Sequence, residues 1–199
     1  DGVITRADVE RAALIGAATG VGASQGSVAA QGISAPPRPG QRETRTPIKG
    51  VTKLMAEAMV KAQPKGNWAL IEGDPLMPIV DLFRAGQMQV VQPLVDKGDI
   101  TIVAQQGIEN WKPDVAQTTM DQILTKVDNK VDAVLAMNDG MSGGAAAALA
   151  AQGLLGKVAL SGQDGDIAAL NRIAKGEATV TVWKNARKLG EAAGAAAVE

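Results

Sequence analysis

The 199-residue chain contains no cysteine, no histidine and no tyrosine, and it has a single phenylalanine. Without cysteine it can form neither a disulfide nor a thiolate metal site, and it has no cysteine nucleophile. Without histidine, Ser-His-Asp triads and histidine-based metal sites are excluded as well. The core must therefore consist of Ala, Val, Leu, Ile and Met. Three tryptophans, Trp68, Trp111 and Trp183, stand out against that background, and one of them is a candidate ligand contact.

The charge balance is close to neutral, with a formal net charge of −1. Neither a basic face nor a charge run indicates binding to nucleic acid or to an anionic membrane. The sequence lacks the run of about 18 apolar residues that a transmembrane helix needs. The first ten residues, DGVITRADVE, contain neither a basic nor an apolar leader segment. We therefore expect no nucleic-acid partner, no membrane insertion, and either a cytosolic protein or one whose signal peptide has been removed.

From residue 67 onward, short apolar runs alternate with segments of helical spacing. The predicted strands are residues 68–72, 100–104, 131–137, 157–161 and 178–183. The predicted helices are residues 78–96, 113–127, 140–152, 166–175 and 186–198. Strands that are apolar on both faces and alternate with helices are typical of a parallel sheet covered on both sides. The sequence therefore predicts an α/β fold with a parallel sheet and helices on both faces.

The first 66 residues give weaker signals. DGVIT predicts a strand, and a helix is predicted over residues 7–15. The Pro-rich, charged residues 32–47 are typical of a loop or crossing segment, and residues 48–62 have the spacing of an amphipathic helix.

Polar or aromatic side chains follow four of the five predicted strands. Because ligands of an open parallel sheet bind beyond the carboxyl ends of the strands, these side chains should converge at one edge. They are an indole, an amide, a carboxylate and an ammonium, provided by Trp111, Asn138, Asp164 and Lys184. The three polar groups can hydrogen-bond to hydroxyls, and an indole can pack on the C–H face of a sugar ring. The set suits a neutral polyol better than a phosphate, which the carboxylate would repel.

Two of these strand ends also carry helix-capping candidates. Asn138 or Asp139 can cap the helix that follows, and Asp164 or Asp166 can cap the next one. We expect Asn138 and Asp164 to face the ligand, and Asp139 and Asp166 to act as the caps.

The other candidates have structural alternatives too. Trp111 can cover the helix start at Pro113, and Lys184 can be a solvated strand end. Trp183 lies within a predicted strand, so we expect it in the core. Convergence on one edge favours the ligand site, since a single ligand explains the whole group.

Three segments closely resemble the periplasmic sugar-binding proteins of ABC transporters. They are LFRAGQM, KVDAVLAMNDGMSGGAAAALAAQGLLGKVALSGQDGD and TVWK, at residues 82–88, 130–166 and 181–184. The resemblance extends over about residues 48–199, with the motifs in the family's order and at nearly its spacing. It implies a type I fold of two α/β lobes joined by a hinge, with a sugar held between them and no enzymatic activity.

The resemblance implies the four site residues that the strand ends also indicate. Trp111 is similar to the family's stacking tryptophan, and Asn138 to the asparagine of its S-N-D motif. Asp164 is similar to the aspartate of S-G-Q-D, and Lys184 to the lysine of T-V-Y-K. Arg38 is a further candidate, from a segment that weakly matches the family's Y-D-R.

The resemblance also implies a domain organisation. Residues 1–46 would be a partial N-terminal lobe with the crossing segment, and residues 47–199 the C-terminal sugar-binding lobe. The N-terminal lobe would be incomplete. In GDPLMPIV, residues 73–80, the apolar residues 76–79 stand where the family has a polar stretch that contributes to its site. We expect a periplasmic or extracellular monomer in its mature form, without cofactor or metal. It would deliver D-xylose or a similar pentose or hexose to an ABC transporter permease.

Three other functions fit parts of the sequence. A sugar-sensing module for a sensor kinase or a repressor would use the same fold. A dinucleotide-dependent oxidoreductase would use the Gly-rich segment with Gly20, Gly22 and Gly26, although no clear strand precedes it at the required distance. A glycosidase would use the carboxylates of Asp139 and Asp164.

Overall fold

The computed structural model describes residues 2–18 and 51–197. In chain order the elements are β1 (Val3–Thr5), α1 (Arg6–Ala18), α2 (Val51–Ala62), β2 (Gly66–Glu72), α3 (Ile79–Asp96), β3 (Ile100–Gly107), a 3₁₀ turn (Glu109–Trp111), α4 (Pro113–Lys126), β4 (Ala133–Ala136), α5 (Asp139–Ala151), β5 (Ala159–Asp164), α6 (Ile167–Ala174), β6 (Val180–Trp183) and α7 (Ala186–Ala197). Within these residues, none of the helices combines the length and apolar character that crossing a membrane requires.

The strands form one sheet in the order β1-β6-β5-β4-β2-β3. The five strands β2 to β6 are parallel to one another. The sixth strand, β1, lies at the edge of the sheet and pairs antiparallel with β6. The predicted α/β fold with a parallel sheet is therefore confirmed, and the antiparallel edge strand β1 is an addition that the prediction did not contain. Because the parallel strands share one direction, their carboxyl ends lie along one edge of the sheet.

Alternation along the strands divides the core into two layers. In β2, Trp68 and Leu70 pack in the layer that contains Met55 and Met59 of α2. Ala69 and Ile71 point to the opposite layer, which includes apolar residues of α4 and α5. Successive side chains of β2 thus point to opposite faces of the sheet, and both faces are apolar. A parallel strand that is covered by helices on both sides requires this pattern.

The helices α4 and α5 approach each other closely at Gly144. A Cβ atom at this position would lie about 2.0 Å from the carbonyl oxygen of Pro113, the first residue of α4. A glycine is therefore required where the start of α4 passes over α5. This contact fixes the turn that precedes α4 relative to the start of α5.

Within the described residues the predicted strands and helices are observed, with shifted bounds. β2 begins two residues earlier than predicted, at Gly66, and β3 and β5 extend beyond their predicted carboxyl ends. β3 continues to Gly107, and β5 continues to Asp164 because it pairs with β6 up to the Asp164–Trp183 pair. The predicted loop at residues 32–47, the Gly-rich segment at residues 20–26 and the predicted boundary between residues 46 and 47 lie outside the described residues. The two-lobe division stays a prediction.

Candidate functional site

A pocket of about 220 Å³ lies at the carboxyl edge of the sheet. It is lined by residues from the ends of β4, β5 and β6, from α3 and from the 3₁₀ turn. The lining residues are Ile79, Phe83, Trp111, Met137, Asn138, Gln163, Asp164 and Lys184. The structure thus brings together Trp111, Asn138, Asp164 and Lys184, the four candidates that the sequence indicates. Arg38, the fifth candidate, lies outside the described residues.

The half-buried indole of Trp111 forms one wall of this pocket. Its Nε1–H donates to the sulfur of Met77 at 3.0 Å, and its ring meets Phe83 edge-on at a centroid distance of 6.4 Å. A Cβ atom on Gly73 would lie 2.0 Å from the ring, so the indole rests directly on the backbone of Gly73. Contacts on three sides therefore hold the indole in place, and the aromatic surface that remains can pack against an apolar face of a ligand.

The carboxylate of Asp74 fixes the turn that carries Trp111. Its oxygens accept hydrogen bonds from the backbone N–H of Asn110 at 2.7 Å and of Leu76 at 2.9 Å. These two bonds, the Asn110 bond first, lower the pKa of Asp74 below its ordinary value of 3.8. Asn110 and Trp111 both have positive φ angles, 53° and 58°, which residues other than glycine rarely adopt. The Asp74 carboxylate helps to hold this unfavourable backbone.

Asn138 both lines the pocket and caps α5. Its Oδ1 accepts from the backbone N–H of Met141 at 2.7 Å, the usual bond of an N-terminal cap. The cap fixes the rotamer of the amide, and the Nδ2 group of the same amide can donate to a ligand. The two interpretations of Asn138 in the sequence, helix cap and ligand contact, are therefore compatible.

Asp164 and Lys184 form an ion pair at the adjacent ends of β5 and β6. The distance from Lys184 Nζ to Asp164 Oδ1 is 2.6 Å, and both side chains remain partly exposed. Asp164 has a φ of 121°, a strained value for a residue other than glycine. The pair places an acceptor and a donor side by side at the pocket, as two neighbouring hydroxyls of a ligand would require.

Asp139 does not cap its own helix, so that prediction is wrong. Its carboxylate is buried and accepts from the backbone N–H groups of Gly165 and Asp166, at 2.9 and 2.8 Å, and from the hydroxyl of Thr181 at 2.8 Å. It joins the ends of β4, β5 and β6 because these strands are neighbours. Burial raises the pKa of Asp139 above its ordinary value, and the hydrogen bonds act in the opposite direction.

Asp166 occupies the N-terminal cap position of α6, as predicted. Within the described part of the chain, however, its side chain makes no capping hydrogen bond. The carboxylate of Asp139, from the previous helix, accepts the backbone N–H of Asp166 instead.

The prediction that Trp183 lies in the core is also wrong. Its side chain is 51% exposed, whereas Val180 and Val182 on the other side of β6 are buried. Trp183 is the last residue of the strand, and its indole packs against the backbone of Gly165. It is not among the residues that line the pocket.

The pocket also contains residues that the sequence analysis did not select. The sequence predicts Ile79 and Phe83 on the apolar face of the helix at residues 78–96, and Met137 in the strand at residues 131–137. Gln163 follows the predicted strand at residues 157–161, and its burial comes from the pairing of β5 with β6, which the sequence alone does not indicate.

Two other pockets are larger. One, of about 540 Å³, lies between β3 and α4, and the other, of about 420 Å³, lies between the starts of α4, α5 and α6. Neither of these larger pockets is lined by Trp111, Asn138, Asp164 or Lys184.

Comparison with known proteins agrees with this architecture. The family model described as "Periplasmic binding protein domain" matches residues 44–199. The chain therefore belongs to this family, which consists of binding proteins and not of enzymes. This result excludes the oxidoreductase and glycosidase alternatives.

Particular relatives within that class bind sugars according to their names. The chain is similar to the D-xylose-binding periplasmic protein of Escherichia coli K12, at 48% identity over 149 residues, covering 75% of the chain and 45% of the relative. It is similar to the multiple sugar-binding periplasmic receptor ChvE of Rhizobium radiobacter, at 34% identity over 137 residues, covering 63% of the chain and 39% of the relative. The chain spans less than half of the length of both relatives.

A solved structure shares the fold. The periplasmic solute-binding protein of an ABC transporter from Actinobacillus succinogenes, with bound D-allose, matches with a TM-score of 0.63 and 31% identity. The match covers 69% of this chain and 47% of that protein.

Proposed function

We propose that the chain captures a monosaccharide, D-xylose or a similar pentose or hexose, and delivers it to an ABC importer from the periplasm or the cell exterior. The observation that carries the proposal is the convergence of Trp111, Asn138, Asp164 and Lys184 on one pocket. These side chains come from separate strand ends, and together they offer an aromatic face, donors and an acceptor. The names of the xylose-binding and allose-bound relatives support a sugar as the ligand.

The chemistry of the pocket favours a neutral, hydroxyl-rich ligand. Lys184 donates only, a carboxylate such as Asp164 accepts only, and the amide of Asn138 can donate through Nδ2. The positive charge of Lys184 and the negative charge of Asp164 neutralise each other across 2.6 Å, so the pair gives the pocket no excess charge to attract an anion or a cation. The volume of about 220 Å³ is below the range of about 300–1,000 Å³ that is common for drug-sized ligands, which fits a small molecule.

Binding in this proposal would couple to lobe closure. A second lobe would cover the pocket and complete the enclosure of the sugar. Contacts that form only in the closed arrangement would favour closure by their differential free energy.

A panel of sugars tests the proposed ligand class. The melting temperature of the purified 199-residue chain is measured with D-xylose, L-arabinose, D-ribose, D-glucose and myo-inositol, and hits are confirmed by calorimetry. The proposal expects a saturable rise with at least one pentose or hexose, because a ligand that binds only the folded state stabilises it. A folded chain that responds to none of these sugars would contradict it.

A sensory role is the second candidate, because the similar protein from Rhizobium radiobacter is named a receptor. Sensing and transport would use the same pocket and differ in the membrane partner. Co-purification with the sugar-loaded chain distinguishes them: a permease supports delivery to an importer, and a sensor kinase supports sensing.

A further inference from the structure

Asp164 has a backbone conformation that residues with a side chain rarely adopt. Its φ angle is 121°, a value at which glycine would be free of strain. Strained residues persist only where the surrounding structure holds them, and they cluster at functional sites. The side chain of Asp164 lines the pocket, so the strain coincides with the proposed sugar site.

The carboxylate of Asp139 holds the backbone that directly follows Asp164. Its Oδ2 accepts from the backbone N–H of Gly165 at 2.9 Å and from that of Asp166 at 2.8 Å. Asp139 is only 1% exposed, and bonds to an ionised acceptor are stronger in such a low-dielectric environment than in water. One buried oxygen therefore fixes the two residues after the strained position.

Gly162 allows the Asp139 carboxylate to reach this backbone. A Cβ atom at residue 162 would overlap Oδ1 of Asp139, so the carboxylate rests directly on β5. Gly162 and Asp164 are two residues apart in the strand, which places them on the same face of the sheet. The hydroxyl of Thr181 in β6 also donates to Asp139. Asp139 is thus anchored on the face of the sheet that carries the Asp164 side chain.

Resting on the proposed function, we propose that Asp139 is a positioning residue for the sugar site and acts through Asp164. It does not itself line the pocket. By holding the turn after β5, it keeps Asp164 in the strained conformation that places its carboxylate beside Lys184. Oδ1 of Asp164 lies 2.6 Å from Lys184 Nζ, while 30% of the side chain stays exposed and can meet a sugar hydroxyl.

A positioning role differs from a general contribution to stability in one measurable respect. A residue that acts through Asp164 affects sugar affinity only while the Asp164 carboxylate is present. The loss of Asp139 should therefore leave the affinity unchanged in a protein that already lacks this carboxylate. A general loosening of the pocket would weaken binding in both backgrounds.

The test is a double-mutant cycle in the 199-residue chain, with the dissociation constant of the best-binding sugar measured by calorimetry. Asp139→Ala removes the acceptor and should raise this constant at least about tenfold, the scale of one lost charge-assisted hydrogen bond. Asp139→Asn keeps an amide oxygen that can accept, so its effect on the constant should be smaller.

Asp164→Gly removes the pocket carboxylate and the backbone strain together. It should raise the dissociation constant at least about tenfold, yet melt at the wild-type temperature or above it, because glycine adopts this φ angle without strain. In the Asp164→Gly background, Asp139→Ala should change the dissociation constant by less than about twofold.

Ser161→Ala is the control for lost stability. The hydroxyl of Ser161 in β5 accepts from the backbone N–H of Ala136 in β4 at 3.0 Å, so the variant loses a buried hydrogen bond of the same strand. Ser161 does not line the pocket, and its loss should leave the dissociation constant within about twofold. If Ser161→Ala weakened binding as much as Asp139→Ala, the effect of Asp139 would be general destabilisation and the inference would be wrong.

Asp166→Pro tests the same hydrogen bonds without changing Asp139, and it decides the question if Asp139→Ala does not fold. The φ angle of Asp166 is −63°, which proline adopts, and proline lacks the N–H that donates to Asp139. The dissociation constant should rise at least about threefold in the wild-type background and less than about twofold beside Asp164→Gly. An unchanged constant in the wild-type background would overturn the inference.

The outcomes separate this inference from the proposed function. If the wild type binds a sugar and Asp139→Ala or Asp164→Gly binds it equally well, the inference is wrong and the proposed function stands. The same holds if the two substitutions weaken binding by independent factors that multiply in the double variant. If the folded wild type binds no sugar, both the proposed function and the inference fail.

Discussion

Lys184 Nζ lies 2.6 Å from Asp164 Oδ1, and this contact joins the ends of β6 and β5 at the pocket. The two side chains keep 38% and 30% of their surface exposed. Ion pairs with this degree of exposure contribute only about 0–1 kcal/mol to stability. The pair therefore contributes little to folding, and its effect should be observed in ligand binding.

Replacing Lys184 by methionine should separate binding from stability. We expect the dissociation constant for the best sugar to rise about tenfold or more, because a donor is lost and Asp164 loses its partner. The melting temperature should change little. Calorimetry and thermal unfolding measure the two effects.

Lys130→Met is the control, because Lys130 pairs with Asp128 at 3.2 Å on the surface, with 71% and 87% of the side chains exposed. It should change neither quantity. Equal sugar affinity in the wild type and Lys184→Met would contradict the role of this lysine.

Gly73→Ala tests the support under Trp111. The new methyl group would overlap the indole, whose nearest ring atom lies 2.0 Å from the expected Cβ position. We expect overpacking to destabilise the protein by about 1–3 kcal/mol and to displace the indole, which weakens sugar binding.

Gly190→Ala, in the exposed helix α7, is the matched substitution, since no described atom lies within 4 Å of its expected Cβ. It should stabilise the fold by about 0.5–1 kcal/mol and leave sugar binding unchanged. If Gly73→Ala bound sugar as tightly as the wild type, the claim that Gly73 positions the Trp111 indole for sugar binding would be wrong.

Asp139 and Thr181 should be coupled in their effect on stability. Asp139→Asn places an amide where the carboxylate accepts from backbone N–H groups, and we expect a loss of about 2–3 kcal/mol in the free energy of unfolding. Thr181→Val should lose about 1–2 kcal/mol because the hydroxyl donates to Asp139 at 2.8 Å. The double variant should lose less than the sum. Chemical denaturation measures all three, and strictly additive losses would show that the hydrogen bond is not the shared cause.

The lowered pKa of Asp74 predicts a pH dependence of stability. Between its folded pKa and its ordinary value of 3.8, the unfolded chain binds more protons at this residue than the folded protein does. The stabilisation from Asp74 is thus fully present above 3.8 and is lost as the pH falls through the lower, folded pKa. The difference in melting temperature between the wild type and Asp74→Asn should be constant from about pH 5 to 7 and shrink in stronger acid. A difference that grows on acidification would contradict this account.

The sequence predicted the sheet and four of the pocket residues because both follow from periodicity. Apolar runs of five to seven residues between helical segments identified the parallel strands, and strand ends of one direction must meet at one edge. Trp111, Asn138, Asp164 and Lys184 follow from that geometry without any knowledge of side-chain contacts.

The roles of Asp139 and Gln163 depended on contacts that are distant in sequence. Asn138 and Asp139 are both good capping residues, and only the positions of Gly165 and Thr181 determine which of them caps α5. The apolar run predicts a strand that ends at Ser161, whereas pairing with β6 extends the strand to Asp164 and buries the amide of Gln163. Strand pairing and burial of this kind are tertiary effects that local propensity does not contain.

The most direct test of sugar binding beside Trp111 is a fluorescence titration with the best-binding sugar from the panel, starting with D-xylose. Trp68 is fully buried away from the pocket and Trp183 lies outside it, so Trp111 should be the indole that responds. The account predicts a saturable change in emission for the wild type and for Trp183→Phe, and its loss in Trp111→Phe. A saturable change that persists in Trp111→Phe and disappears in Trp183→Phe would contradict it.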